Sequence, residues 1–442
     1  MSINETLTNE LVELDKKHFI HPTSSIKEQQ ENGPAIIFKE GKGVYLTDIE
    51  GKKYIEGMAS LWNVNVGYGR TELAEAAKEQ LETLAFASSF ATFSNEPAIR
   101  LATKVADMAP GDLNAVFFTS GGSESNDTSY KLVRHYWKIK GQPNKTKIIS
   151  RERAYHGVAV GSTSATGIKD FHHMTTSLAT GFVHTESFSP EALRKTIEAE
   201  GADTIAAFIA EPVQGAGGVN IPPDGYFQEI RKICDEYNIL LIADEVITGF
   251  GRTGKMFACE HWGIVPDVML LAKGISSGYI PLGAVVVRDH VHQDFINLSE
   301  GTLLHGFTYS GHPTACAVGL KNIEILEREN LVQNSKEMGA LLHEKLRAFQ
   351  SETNIVGEVR FLGLIGALEI VKNQQTNERF SEKLAPQIIT EARKRGLILR
   401  TVTFGDSDTI VFAPPLVINE EEVNELVSIL KAAILEVQQA AL

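Results

Sequence analysis

Lys273 ends an apolar run, Asp267-Val-Met-Leu-Leu-Ala-Lys273, and the chain then breaks into Gly274-Ile-Ser-Ser-Gly278-Tyr-Ile-Pro281. An ammonium is costly to bury while charged, so burial at such a strand end pulls its pKa down. A neutral amine in a cleft condenses with carbonyl compounds, which is the chemistry of pyridoxal phosphate enzymes. A lysine at a strand end also often snorkels to water, so the reading depends on its companions. Two acids stand in similar places: Glu211 follows the apolar run 205–210, and Asp244 follows 239–243. An aspartate just past a buried strand can hold a proton on a pyridine nitrogen, and the charged ring then accepts the electrons of a carbanion. Taken alone, either acid is an ordinary strand-end carboxylate. Thr119-Ser-Gly-Gly-Ser123-Glu-Ser follows a fourth apolar run and opens a helix that runs to about Trp137. Small residues let backbone N–H groups approach an anion, and a helix N-terminus favours negative charge, which together make a phosphate cradle.

These groups work together only if the chain sets them side by side. Residues 5–18 read as an amphipathic helix with Leu7, Leu11 and Leu14 on one face, and 35–58 as a small antiparallel meander. From about residue 70 helices and strands alternate. Thr71 is the expected cap of a helix with Leu73, Ala77, Leu81 and Leu84 on one stripe, and Asn95 with Pro97 opens another. The runs 115–118, 205–210, 239–243, 268–272 and 284–287 are almost wholly apolar, as strands buried on both faces of a parallel sheet are. After His312-Pro313 the chain reads as helical to about residue 349. A strand at 369–371, a helix ending near Gly396, strands at 397–400 and 409–412, and a last helix begun by Asn419 follow. The predicted fold is α/β: a large domain, 59–329, with a mostly parallel central sheet flanked by helices, and a smaller α+β domain from 1–58 and 330–442. Ligands of open α/β sheets gather at the carboxyl ends of the strands. Phosphate cradle, ring-nitrogen partner and amine would then converge on one sheet edge.

Composition narrows the alternatives. The chain has 442 residues, 43% of them hydrophobic, so its core needs no disulfide or metal staple, and no metal ligand set is expected. Three widely spaced cysteines without a CxxC fit a reducing, cytoplasmic setting. A net charge of −14 with acids and bases interspersed argues against a nucleic-acid or anionic-membrane surface. No apolar run approaches the ~20 residues of a membrane helix, and the polar, acidic N-terminal stretch does not read as a signal peptide. Gly249-Phe-Gly-Arg-Thr-Gly254-Lys255 nearly matches a P-loop. Met256, however, stands where a Ser or Thr must bind the metal, and the acidic strand precedes the glycines, the reverse of that fold's order.

The combination resembles the class III, pyridoxal phosphate-dependent aminotransferases of fold type I, and among them the amine–pyruvate (omega) aminotransferases. The matching segments span nearly the whole chain: Leu61-Trp-Asn-Val-Asn-Val-Gly-Tyr-Gly69, Phe118-Thr-Ser-Gly-Gly-Ser-Glu-Ser125, Tyr155-His-Gly157, Glu211-Pro-Val-Gln-Gly215, Ala243-Asp-Glu-Val-Ile-Thr-Gly-Phe-Gly-Arg-Thr-Gly254, Leu271-Ala-Lys-Gly274 and Gly306-Phe-Thr-Tyr-Ser-Gly-His-Pro313. The resemblance implies that Lys273 is the catalytic lysine, carrying the cofactor and shuttling a proton. It implies that Ser120, Gly121, Gly122 and Ser123 hold the phosphate, and that Asp244 pairs with the ring nitrogen. Tyr155 would stack on one ring face with His156 beside it, Val246 would pack on the other, and Glu211 would lie near the ring. Thr308 corresponds to a threonine that reaches the phosphate of the neighbouring subunit's cofactor. That implies a homodimer, alone or paired into a tetramer, with active sites shared across the interface.

Departures from the pattern bear on the substrate. Family members acting on ornithine or 4-aminobutyrate carry an arginine just before the phenylalanine of the strand that precedes Pro-Pro-Leu. Here Val411 stands at that place, and a valine cannot bind a carboxylate. Arg400 instead falls where amine–pyruvate enzymes keep a mobile arginine for the pyruvate carboxylate. Trp62, Phe90 and Tyr155 match the family's apolar substrate walls. The implied reaction is ping-pong transfer from an amine or omega-amino acid to pyruvate, a 2-oxo acid, giving alanine. Diaminopelargonate aminotransferases, which keep an arginine at the place of Arg400 but a paired tryptophan near 61–69, are the second reading. An aminomutase or racemase of the same fold is the third. A cofactor-binding transcriptional regulator would need an appended DNA-binding module, for which the N-terminal segment leaves no room.

Overall fold

The computed structural model describes residues 3–441. Its central sheet has seven strands in the order Leu113–Thr119, Gly283–Arg288, Val268–Leu271, Leu240–Asp244, Ile205–Ala210, Lys147–Arg151 and Phe182–Thr185. The last five pair in parallel, whereas Gly283–Arg288 runs antiparallel to both its neighbours. The apolar runs are apolar because successive side chains enter two different cores. Leu241 and Met269 join one buried cluster, while Ile242, Val268 and Leu270 join another. The helix Gly122–Ile139 covers the second cluster with Tyr130, Val133 and Trp137.

Two four-stranded sheets complete the molecule. In one, the meander Phe38–Lys42, Tyr45–Asp48 and Lys53–Glu56 is antiparallel, as expected, and takes Leu397–Ile398 as a parallel fourth strand. In the other, Val356–Leu362, Ile365–Ile370, Thr409–Phe412 and Arg400–Val402 pair antiparallel. The residues 397–402 therefore stitch the two sheets together. Glu56 lies opposite Ile398, and two residues on Arg400 lies opposite Val411.

Several expectations need correction. The helix Thr71–Leu84 is capped by the extended backbone of Arg70 without a side-chain bond, not by Thr71. Its stripe is only partly buried, since Leu73 is in the core and Leu81 and Leu84 are exposed. Leu7 and Leu14 of the first helix, Ile3–His18, are exposed too. The long helical stretch beyond Pro313 is two helices, Pro313–Arg328 and Leu331–Gln350. Asn95 does cap its helix, accepting the Ala98 N–H at 3.0 Å. No helix among the described residues is long and apolar enough to cross a membrane.

Candidate active site

Thr119, Ala210, Asp244 and Leu271 end strands that point the same way, and a cavity of about 300 Å³ opens beyond them. Its walls include Ser120, Gly121, Gly122, Ser123, Tyr155, His156, Glu211, Asp244, Val246 and Lys273, ten of the residues singled out from sequence.

One end of the cavity is the start of the helix Gly122–Ile139, whose first N–H groups have no intrahelical acceptor. A Cβ added at Gly121 would meet nothing within 4 Å, while one at Gly122 would come to 2.9 Å of Val246 Cγ1. Glycine at 122 thus lets Val246 pack down onto the helix start. Ser123 Oγ accepts the Val158 N–H at 3.1 Å, tying the Tyr155-His156-Gly157 turn to the same helix.

Asp244 sits in the middle of the cavity wall, almost fully buried. Its Oδ2 accepts His156 Nδ1 at 2.8 Å and Asn126 Nδ2 at 3.1 Å, and its Oδ1 accepts the Val246 N–H at 3.1 Å. Three donors fix the carboxylate plane before anything binds. His156 Nε2 is buried and has no partner among the described residues. Glu211, also buried, accepts the Tyr155 N–H at 3.0 Å and the Gly215 N–H at 3.1 Å, and so sets the Tyr155 backbone. Burial pushes the Glu211 carboxyl up to about 7, and the nearby Asp244 charge adds to this while His156 and Arg151 oppose it. Arg151 holds the segment from behind, donating to the Glu211 carbonyl under the rings of Phe188, Tyr226 and Phe227.

Lys273 begins a single tight turn, Lys273–Ile275, with φ at +47°, a region non-glycine residues seldom visit. Burial pulls its amine down to about 8, against the opposing pull of Asp244 and Glu211. The neutral amine is therefore far more accessible near neutral pH than that of an ordinary lysine. An aromatic phosphate ester bearing a carbonyl and a ring nitrogen matches this donor set: amides at the helix start, a pre-oriented carboxylate in the wall, and an amine beside it. Pyridoxal phosphate has those groups.

Of the substrate-side residues, Tyr155 is in this lining, whereas Trp62, Phe90 and Arg400 lie outside it. Trp62 is 6% exposed, its indole N–H has no partner among the described residues, and the Arg400 guanidinium lies 5.5 Å from its ring centroid. Burial pulls the Arg400 guanidinium below its usual value, against Tyr155 and Glu56. Phe90 is 50% exposed and packs by Gly306, and Thr308 is exposed. The single chain does not bring Phe90 or Thr308 into the cavity.

Sequence reasoning missed Asn126, Asn63, Ser276 and Ile280, all in the lining. Asn126 had a usable signal, because it sits one helical turn beyond Gly122 on the cavity side. The near-P-loop at 249–255 is a packed turn. Arg252 is fully buried and bonds the carbonyl of Leu364, and Lys255 is exposed, away from any phosphate cradle.

Against known proteins, a family model described as aminotransferase class-III matches residues 26–434. A transaminase from the marine bacterium Virgibacillus is 57% identical, with 98% of this chain and 99% of that one covered and a TM-score of 0.97. The putrescine–pyruvate aminotransferase of Pseudomonas aeruginosa is 42% identical over 100% of this chain and 99% of its own length. An omega transaminase from Pseudomonas jessenii, solved in complex with PMP, is 40% identical, with coverage of 98% and 99% and a TM-score of 0.93.

Proposed function

The chain belongs to the class III aminotransferase family, and on that premise we propose that it moves the amino group of an amine or omega-amino acid to pyruvate, giving alanine, in two ping-pong half-reactions. It is a fold type I enzyme, and its cofactor is pyridoxal phosphate. When bound, the cofactor supplies a carbonyl that takes up the amine and an electron-poor ring that stabilises negative charge on the adjacent carbon.

The chain's own residues do the rest. The amides at Gly121–Ser123 bind the phosphate, and Asp244, fixed by His156 and Asn126, holds a proton on the ring nitrogen. Tyr155 and Val246 confine the ring between them. Lys273 Nζ would hold the cofactor's carbonyl and, as a free amine, would carry a proton from the donor carbon. Its lowered pKa suits a base working near neutral pH.

One observation carries the choice of acceptor. Arg400 is the cation held at the substrate side, lying against Trp62, while Val411 is buried in an apolar cluster. A guanidinium there suits a small 2-oxo acid carboxylate, and the likeness to a putrescine–pyruvate aminotransferase supports the same acceptor. The exposed positions of Phe90 and Thr308 support an active unit in which a second copy completes the site. The test uses an amine donor isotope-labelled at nitrogen, with pyruvate. Label should appear in alanine, and label confined to the donor and its isomers would overturn the proposal in favour of an isomerase.

A further inference from the structure

The segment that leads into Trp62 is strained. Ala59, Ser60 and Trp62 all have positive φ, at 44°, 60° and 58°, and none is glycine. Ser60, with ψ at −85°, sits in a region side chains rarely tolerate. Conformations of this kind persist only where the surroundings over-determine them.

Glu56 supplies that constraint. It is 1% exposed and faces this turn from the end of the strand Lys53–Glu56. Its Oε1 accepts the Met58 N–H at 2.8 Å, and its Oε2 accepts the Ser60 N–H at 3.1 Å and the Tyr68 hydroxyl at 3.3 Å. All three neighbours donate, so the carboxylate meets only hydrogens. Main-chain bonds close the turn from Trp62 N to the Met58 carbonyl and from Asn63 N to the Ala59 carbonyl. Glu56 is also opposite Ile398, two residues before Arg400 on the segment that crosses into the neighbouring sheet, so the carboxylate and the cation that rests on the Trp62 ring are tied through one short stretch of chain.

We propose that Glu56 is a positioning residue for substrate recognition: by gripping the amides of Met58 and Ser60 it holds the Ala59–Trp62 turn in its left-handed shape and sets the Trp62 ring where the donor and Arg400 meet it. This rests on the reading of Trp62 as a substrate wall. Glu56 itself touches neither cofactor nor substrate; it acts through Trp62.

The test is a double-substitution cycle on the holoenzyme, with KM and kcat measured for an apolar amine donor. Trp62→Ala alone should raise the donor KM, and an unchanged KM would remove the wall reading itself. Glu56→Gln, which loses one amide acceptor and the charge, should raise KM roughly tenfold with kcat little changed, the scale of losing a bond to a charged group. In the Trp62→Ala background the same change should move KM by no more than about twofold, because the ring it positions is gone. Adding Ser60→Gly to Glu56→Gln should restore KM, since glycine holds a positive φ without support. This second variant also serves if Glu56→Gln alone folds poorly. Equal effects of Glu56→Gln with and without Trp62, or no rescue by Ser60→Gly, would overturn the proposal.

Discussion

Arg400 and Val411 face each other in register across an antiparallel strand pair. The two positions that the family resemblance implies as alternative places for a carboxylate-binding arginine are thus set side by side on neighbouring strands. Val411 is 0% exposed in a cluster with Met58, Trp62 and Ile365, so a charge there would be buried among apolar groups. The cation stands instead one strand over, with its guanidinium 5.5 Å from the Trp62 ring centroid.

Arg400→Ala should therefore separate the two half-reactions. kcat/KM for pyruvate should fall by roughly 10²-fold, the scale of a charge-assisted bond, while an uncharged amine donor changes little. Half-reaction kinetics measure both directly. Equal losses would remove Arg400 from acceptor binding.

Asp244 depends on its partners for orientation. Asp244→Asn should cost about 10²–10³ in kcat and weaken cofactor binding, because the group that stabilises charge on the ring is lost. His156→Ala should give a smaller loss of the same kind, since Asn126 and the Val246 N–H still hold the carboxylate. Cofactor release on dialysis and single-turnover rates report the two effects.

The lowered amine of Lys273 gives a signed pH dependence. Only neutral Nζ attacks a carbonyl, and its pKa in the folded chain is about 8. The rate at which cofactor-free protein captures pyridoxal phosphate should rise with pH, half-maximal near that value, and level off above it. Stopped-flow absorbance measures it. A rate still climbing near the ordinary lysine value would show that burial does not tune this amine.

The surface around Phe90 and Thr308 should be covered by a second copy. Leu304 is 88% exposed, close in sequence to Thr308 and Tyr309, and the Tyr309 ring packs edge-on against Phe86. Sedimentation should give a dimer or a multiple of it. Leu304→Asp should shift it toward monomer and lower activity with it, because the substitution puts a charge into the apolar surface that the second copy would cover.

Much of this architecture was legible because apolar runs and strand-end residues encode it together. The ends at Thr119, Ala210, Asp244 and Leu271 were located to within a residue or two from hydrophobicity alone. Lys147–Arg151 was missed because Lys-Ile-Ile-Ser-Arg reads as polar. Its Arg151 is buried only because aromatic rings from distant segments and the Glu211 carbonyl receive it. Phe182–Thr185 and Val356–Leu362 are likewise defined by their neighbours rather than by their own pattern. Glu56 carried no signal, since its role depends on a turn whose dihedrals no periodicity records.

The central claim is that Lys273 is the cofactor's covalent anchor in the cavity that Asp244 lines. Borohydride reduction of freshly purified holoenzyme, followed by peptide mass mapping, tests it most directly. The account predicts a reduced phosphopyridoxyl adduct on Lys273. Bound cofactor with that lysine unmodified, or an adduct on another lysine, would contradict it.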